Sequence, residues 1–389
     1  MLTLLDITFF SNHEFKTGSE LIRSQASALG YLDFIGQQMH VEVIKHIRSE
    51  EHLEVNNIPF HFFKTTNRFF SVPFKTLQYV RKIKPDVVLV QGLIFPFQVM
   101  LLKAVLGKRT IILAQHHGEQ ANKSILRNFF NKLADKCITA YLFNTPAYAE
   151  KRLLQKTIAH SRKIKQLPEG SNSFTQKNKQ QARVELNIDA KGPVFLWVGR
   201  LNENKDPLTI LKAFELYSFL VPGARLYMIY QTDNLLRQIR TVLGQDSQLQ
   251  ERVHLVGKVD HEELESWYNA ADFFLSGSHS EYGGFAVLEA MACGCIPVTT
   301  NIPTMQQYLQ HGKLGFLFAP GDVAALANVL LDLENYDIEK MSKDIAAHFR
   351  HTYSFEKIAD GLKEICFGLY FEQVQHFPHG VVNAVSANG

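Results

Sequence analysis

Two glutamates eight positions apart, Glu281 and Glu289, enclose a Gly-Gly step in the stretch SEYGGFAVLEAMACG. Glu289 stands among Val287, Leu288, Ala290 and Met291, which predicts a carboxylate partly out of water and in need of a partner. About one turn inside a helix, such a carboxylate can accept two hydrogen bonds from a vicinal diol such as a ribose; pairing with a nearby Arg is the alternative. Gly283 and Gly284 at the helix entrance let a ligand approach the backbone, where the free N–H groups of the first turn favour a phosphate or an oxyanion. Glu281 would repel that phosphate. It is therefore expected either to face a hydroxyl-bearing part of the ligand or to be an exposed loop acid.

A second group follows the apolar run PVFLW: in VGRLNENKDP, Arg200 and Lys205 lie five apart on a strand-exit loop. A forked guanidinium beside a compact ammonium can clamp a diphosphate, each charge-assisted bond contributing roughly 1.5–3 kcal/mol; a solvated loop with two cations is the plainer reading. In LAQHHGE, also at a strand end, His116 and His117 precede Gly118. They read as a hydrogen-bonding pair in a cleft or as two loop histidines.

The chain that must position these side chains has 389 residues, 46% hydrophobic and 20% charged, too long for one typical core, so two domains are expected. Short β-branched or aromatic runs alternate with helical-period segments: LTLLDITFF, HVEVIKHI, PDVVLVQG, TIILAQHHG and CITAYLFNT, then PVFLWVG, RLYMIY, RVHLVG, ADFFLSGS and CIPVTT. This rhythm, with several runs almost continuously apolar, predicts parallel strands covered on both faces by helices. The polar stretch from Lys165, KQLPEGSNSFTQKNKQ, is the expected linker. Two doubly wound α/β domains bind ligands at the carboxyl ends of their strands, where all three groups of residues fall.

The net charge is +3, yet residues 1–172 hold 23 Lys/Arg against 13 Asp/Glu. A basic first half suggests an anionic partner, whether membrane surface, nucleic acid or phosphorylated substrate, or else solvated helix faces. The four cysteines form no C-x-x-C pair, so neither a disulfide framework nor a structural metal is indicated and a reducing, cytoplasmic setting fits. The opening LTLLDITFF reads as a core strand and not as a signal peptide. The longest apolar run, LIFPFQVMLL, stops at Lys103 and is too short to span a bilayer.

In order and spacing these elements resemble the retaining glycosyltransferases of family 4, which have the GT-B fold. The resemblance is strong in VGRLNENKDPLTILKAF, RVHLVGKVDHEELESWYNAADFFLSGS, EYGGFAVLEAMACGCIPVTT and GKLGFLFAPGDVAALANVLLDL, with the E-x7-E spacing of Glu281 and Glu289 as its hallmark, and weaker in FKTGSELI, KPDVVLVQG, LAQHHGE and LPEGSNSF. It implies two Rossmann-like domains facing each other across a cleft, 1–170 on the acceptor side and 171–352 on the donor side, and a C-terminal helix within 353–389 returning to the first domain ahead of a tail. It implies that Arg200 and Lys205 hold the donor's diphosphate and stabilise the leaving nucleotide electrostatically, without a metal. Glu289 would bind the ribose, Glu281 face the donor sugar, and Gly283, Gly284 and Phe285 meet sugar or phosphate. His117 matches the family's donor-sugar histidine better than His116, Gly18 would lie near the diphosphate, and Lys258 and Val259 fall where the base is met by backbone groups. The sequence departs from the family's pattern in a first loop with one glycine, in Gln231-Thr232-Asp233 after RLYMIY, and in Gly283, where an aromatic residue is common.

The expected activity is retaining transfer of a hexose-type residue from a nucleoside diphosphate sugar to an acceptor hydroxyl. No D-x-D stretch occurs, and no cofactor or metal is expected. The alternatives are a nucleotide-sugar epimerase and a non-catalytic nucleotide-sugar binding protein on the same scaffold. NRFFSVPFKTLQYVRKIK and KSILRNFFNKLADK mix basic and aromatic residues as interfacial segments do. They raise peripheral contact with an anionic inner leaflet and a glycan or lipid-linked acceptor, as in polysaccharide, lipopolysaccharide or glycolipid synthesis. No nucleic-acid recognition module is present.

Overall fold

The computed structural model describes residues 1–120 and 124–376. The expected tail, and Lys123 of the second basic-aromatic segment, lie outside them. The chain divides into two compact units, Met1–Gly170 with the segment from Phe355 on, and Ser171–Ser354.

The first unit is built on eight strands, β1 (Thr3–Ser11), β2 (His40–His46), β3 (Glu51–Val55), β4 (Ile58–Phe63), β5 (Val87–Gln91), β6 (Ile111–Gln115), β7 (Ala140–Phe143) and β8 (Ile164–Gln166). Their order is β3-β4-β2-β1-β5-β6-β7-β8. All neighbours are parallel except the hairpin β3–β4. In the central strand Leu4 belongs to the core on one face and Leu5 to the core on the other, the two-sided burial that gives parallel strands their continuous apolar runs. The long helix Phe355–His376 closes one face, with Ile358, Ala359, Leu362 and Cys366 packed among Leu4, Leu21 and Leu32. Phe355 lies against Gly30, where a Cβ would come within 2.5 Å of its ring.

The second unit has six parallel strands, β9 (Val194–Gly199), β10 (Arg225–Tyr230), β11 (Val253–Gly257), β12 (Phe273–Ser276), β13 (Ile296–Thr300) and β14 (Phe316–Phe318). The order is β11-β10-β9-β12-β13-β14. Connections run outward in opposite directions from β9 and β12, which makes the carboxyl end of that strand pair a topological switch point. Phe195 and Trp197 fill one face, Val194 and Leu196 the other.

Three elements correct the sequence reading. The hairpin β3–β4 turns on Asn56 and Asn57, both at positive φ (51° and 62°), the conformation of a two-residue type I′ turn. The expected linker overlaps β8, which pairs with β7 through Leu142↔Lys165 and Phe143↔Gln166. The stretch GFLF adds the edge strand β14 beside β13. Among the described residues no helix is long and apolar enough to cross a membrane.

Candidate active site

The loops that leave β9 and β12 are fastened to each other. Asn204 Nδ2 donates to the Ser280 carbonyl (3.1 Å), while Ser280 N–H and Oγ donate to Asn204 Oδ1 (3.2 and 2.8 Å). His279 N–H donates to the Asn204 carbonyl at 2.8 Å, and Gly277 lets the two backbones meet, since a Cβ there would lie 2.8 Å from the Asp206 carbonyl oxygen. Asp206 then caps the helix Pro207–Leu220, accepting from Thr209 N–H (3.2 Å) and Oγ1 (2.7 Å).

This fastening brings Lys205 to Glu281. Lys205 Nζ donates to Glu281 Oε1, and Ser278 Oγ donates to the same oxygen at 2.9 Å. Both side chains line a cleft of about 510 Å³ together with Arg200, Asn202, Gln231, Val259, Tyr282 and Ala286. Arg200 is exposed, and its guanidinium has no ion pair or side-chain hydrogen bond among the described residues. The cleft wall thus carries one neutralised and one uncommitted cation beside a carboxylate.

The loop from Glu281 to Gly284 is pinned from the helix Pro303–Tyr308: Thr304 Oγ1 donates to the Glu281 carbonyl and Tyr308 Oη to the Gly283 carbonyl, both at 2.6 Å. Gly284 precedes the helix Phe285–Ala292 in the left-handed region at φ 58°. A Cβ there would also stand 3.1 Å from Tyr308 and 3.2 Å from Met305, so this glycine is required by conformation and by packing. Gly294 at φ 72° ends the same helix. Cys293 and Cys295 beside it are buried free thiols, which burial pushes up.

Glu289 is buried, at 5% exposure, and has the partners its position demands. They are His261 and Tyr268, not the arginine that was the alternative: His261 Nε2 donates to Oε1 at 2.8 Å and Tyr268 Oη to Oε2 at 2.9 Å. The bond from Glu289 raises the His261 pKa above its ordinary value, against the opposing effect of burial and with help from the charges of Glu289 and Glu262. Burial, with Glu289 alongside, holds the Tyr268 hydroxyl protonated well above its usual range.

The structure therefore places Arg200, Lys205, Glu281 and Val259 on one cleft wall, with Glu289, Gly283, Gly284, Phe285 and Lys258 outside its lining. Leu264, which lies between His261 and Tyr268 in sequence, and Ala286, three residues before Glu289, do line it. Asn204, Ser278, His261, Tyr268, Thr304 and Tyr308 are site residues that the sequence reading did not single out.

In the first unit, His117 follows β6 and lines a cleft of about 310 Å³ with Lys45, Gln91, Glu119 and Glu169. Its Nδ1 is 2.6 Å from Glu169 Oε2 and its Nε2 2.7 Å from Gln91 Oε1. Gly18 is occupied locally. Its N–H donates to Glu51 Oε1 at 2.5 Å, and Phe62 stands where a Cβ would be, so packing accounts for this glycine. Among the described residues no group of three or more His, Cys, Asp or Glu side chains could hold a metal ion.

The two basic-aromatic segments meet in the first unit. Phe69 and Phe70 pack edge-on against Phe130 (both 5.3 Å between centroids), Phe70 against Phe97, and Arg127 lies over the Phe69 ring. In the same two segments Phe74 (78%), Ile125 (88%), Leu126 (57%) and Phe129 (55%) stay exposed. Residues 64–84 contain six Lys/Arg and no Asp/Glu, and residues 124–134 add Arg127 and Lys132 without an acid.

Comparison with known proteins agrees with this architecture. Residues 178–350 match the family model described as glycosyl transferases group 1. A D-inositol 3-phosphate glycosyltransferase from Thermobispora bispora is 28% identical over 195 residues, 47% of this chain and 44% of that protein. The chain thus covers less than half the length of this curated relative. Among solved structures, a glycosyltransferase from Rickettsia africae superposes with a TM-score of 0.73 at 15% identity, covering 95% of this chain and 98% of that one. HepE from Anabaena, solved in complex with UDP, gives 0.69 at 15% identity over 95% and 100%. With its two parallel-sheet α/β units the chain has the GT-B fold, and its second unit is similar to the glycosyl transferases group 1 family over residues 178–350.

Proposed function

We propose that the chain transfers a sugar residue from a nucleoside diphosphate sugar to an acceptor hydroxyl, with retention at the anomeric carbon and without a metal ion. The observation that carries this reading is the set Arg200, Lys205 and Glu281 on the wall of one cleft at the switch point of the second sheet. Arg200 offers a fork of donors to the diphosphate, and Lys205 exchanges its bond to Glu281 for one to a phosphate oxygen. As the bond to the sugar breaks, charge grows on that phosphate, and cations already in place stabilise it without reorganising. Glu281, released from Lys205, accepts from sugar hydroxyls. Each carboxylate oxygen has two acceptor directions, so Glu289 can take the ribose hydroxyls while His261 and Tyr268 keep its orientation. Val259, on the cleft wall, and Lys258 beside it offer backbone groups to the base. The UDP bound to Anabaena HepE supports a nucleoside diphosphate sugar as the donor class.

The acceptor in this reading is a glycan or a lipid-linked hydroxyl met at an anionic membrane surface, the partner that suits exposed aromatic and aliphatic side chains on two segments whose charged residues are all Lys or Arg. The test is thermal stabilisation by UDP-, GDP- and ADP-sugars, followed by transfer assays with the donor that shifts the melt. A saturating donor at 100 times its dissociation constant adds about 2.7 kcal/mol. Turnover is expected to need an acceptor and to persist in a chelator. Sugar interconversion without acceptor would make the protein an epimerase, binding without turnover would leave it a binding protein, and loss of turnover in chelator would refute metal independence.

A further inference from the structure

The first unit contains a hydrogen-bonded chain whose direction can be read from its ends. Three donors converge on the buried carboxylate of Asp6: Lys45 Nζ at 3.0 Å on Oδ1, and Tyr31 Oη at 2.9 Å and Gln91 Nε2 at 2.5 Å on Oδ2. Asp6 is the acceptor for all of them, so the Gln91 amide must turn its nitrogen to Asp6 and its oxygen away. That oxygen faces His117 Nε2 at 2.7 Å. A carbonyl oxygen accepts and never donates, so Nε2 carries a hydrogen. The other ring nitrogen, Nδ1, faces a carboxylate oxygen of Glu169 at 2.6 Å and carries a hydrogen as well.

We propose that Asp6, Gln91 and Glu169 are positioning residues that hold His117 as a doubly hydrogen-bonded imidazolium on the wall of the first unit's cleft, where it serves as a fixed positive charge and not as a proton acceptor. The proposal deepens the transfer reading and rests on it only where turnover is concerned. Both N–H groups are committed to the protein, so a ligand in this cleft meets the charge of the ring and the remaining acceptor directions of Glu119 and Glu169.

The surrounding charges support the cation. Glu169 binds Nδ1, Glu119 Oε2 accepts from the His117 backbone N–H at 2.8 Å, and Asp6 acts through Gln91. Against them stand Lys45, already bonded to Asp6, and Arg152, which donates to the Glu119 carbonyl at 2.8 Å. Loss of solvent around the ring, whose side chain is still 33% exposed, favours a neutral His117, but the bond and charge of Glu169, with the charge of Glu119, more than offset it and raise the pKa. The adjacent His116 goes the other way. It is stacked on Phe143 at 4.7 Å, and burial pushes its pKa down in spite of Glu119. Two consecutive histidines are thus set to opposite charge states by what each one faces.

The test uses the full chain with ¹⁵N-labelled histidine. At pH 7 both ring nitrogens of His117 should appear as N–H, and the ring should titrate above the ordinary value of about 6.5. Glu169→Gln keeps an acceptor but removes its charge, and should lower the His117 pKa by about one unit or more, with Glu169→Asp restoring it. In transfer assays the alkaline limb of the kcat profile should move down with it in Glu169→Gln. A wild-type ring with one bare nitrogen at pH 7, or a pKa indifferent to Glu169→Gln, overturns the proposal. If the NMR result holds and no acceptor is ever glycosylated, the transfer reading fails and the relay stands.

Discussion

Lys205→Met is the most informative substitution in the second unit, because Lys205 is bonded to Glu281 in the free protein and to a phosphate in the proposed complex. Free, it neutralises Glu281 in a pair whose side chains are 27% and 15% exposed. A pair this open contributes little to folding, about 0.2–1 kcal/mol, so the melting temperature should change modestly. Donor binding should change much more. The variant loses a charge-assisted bond to the diphosphate, roughly 1.5–3 kcal/mol, and leaves the Glu281 carboxylate facing the phosphate without a neutralising ammonium, while Ser278 Oγ still donates to it at 2.9 Å. At 1.4 kcal/mol per decade this is about a 10- to 150-fold loss in donor affinity. Glu281→Gln removes the repulsion, so Lys205→Met/Glu281→Gln should bind the nucleotide better than Lys205→Met alone, with a coupling of about 0.5–3 kcal/mol. Titration calorimetry with UDP and with the preferred UDP-, GDP- or ADP-sugar gives all four corners of the cycle. Additive effects, or a Lys205→Met variant with wild-type affinity, would refute the exchange of partners on which the site reading depends.

Two further outcomes are expected. The His261 pKa is raised in the folded chain by Glu289, so its contribution to stability is fully present below the unfolded value of about 6.5 and fades as pH rises through the higher folded value; the melting-temperature gap between wild type and His261→Phe should be largest at acid pH, and a gap that widens with pH would contradict the pairing. The exposed cluster of the first unit should bring the chain to vesicles containing anionic lipid at low salt, each Lys or Arg near the surface contributing about 1 kcal/mol. Ile125→Ser/Phe129→Ser should release it in cosedimentation without lowering the melting temperature, and equal binding to neutral and anionic vesicles would refute an electrostatic attachment.

The residues most legible in the sequence are those at strand ends. Arg200 directly follows β9 and Glu281 lies on the loop that leaves β12, and each signals chemistry because a charge just beyond a buried strand lies at the carboxyl edge of the sheet. Their juxtaposition was not legible. Lys205 and Glu281 are 76 residues apart, and they meet because β9 and β12 are neighbours in the order of the sheet, which no local pattern encodes. The demand of Glu289 for a partner was readable from Val287, Leu288, Ala290 and Met291, but its supply was not: His261 and Tyr268 reach it from a segment more than 20 residues upstream. Among strands, β8 and β14 escaped because each has three residues, too few to show a period. The β3–β4 hairpin carried a usable signal in Asn56-Asn57 between two alternating runs.

What the sequence concealed has a common character. Asn204, Thr304 and Tyr308 bond to the backbone of the loop from Ser280 to Gly283, while Gln91 and Glu169 grip the ring of His117. These side chains orient loop backbone and an imidazole ring, and such a task can be performed by any donor or acceptor that arrives at the right place. A carboxylate or guanidinium required by chemistry is constrained in type and therefore stands out along the chain. A positioning residue is constrained in location, and its location is set by sheet order and loop length. Glu169 illustrates the distinction: in LPEGSN it reads as one acid in a polar stretch, and it acquires meaning when β8 places it 2.6 Å from the imidazole that follows β6. The charge state of His117 is accordingly a property of the fold, decided by five side chains drawn from or just beyond β1, β2, β5, β6 and β8.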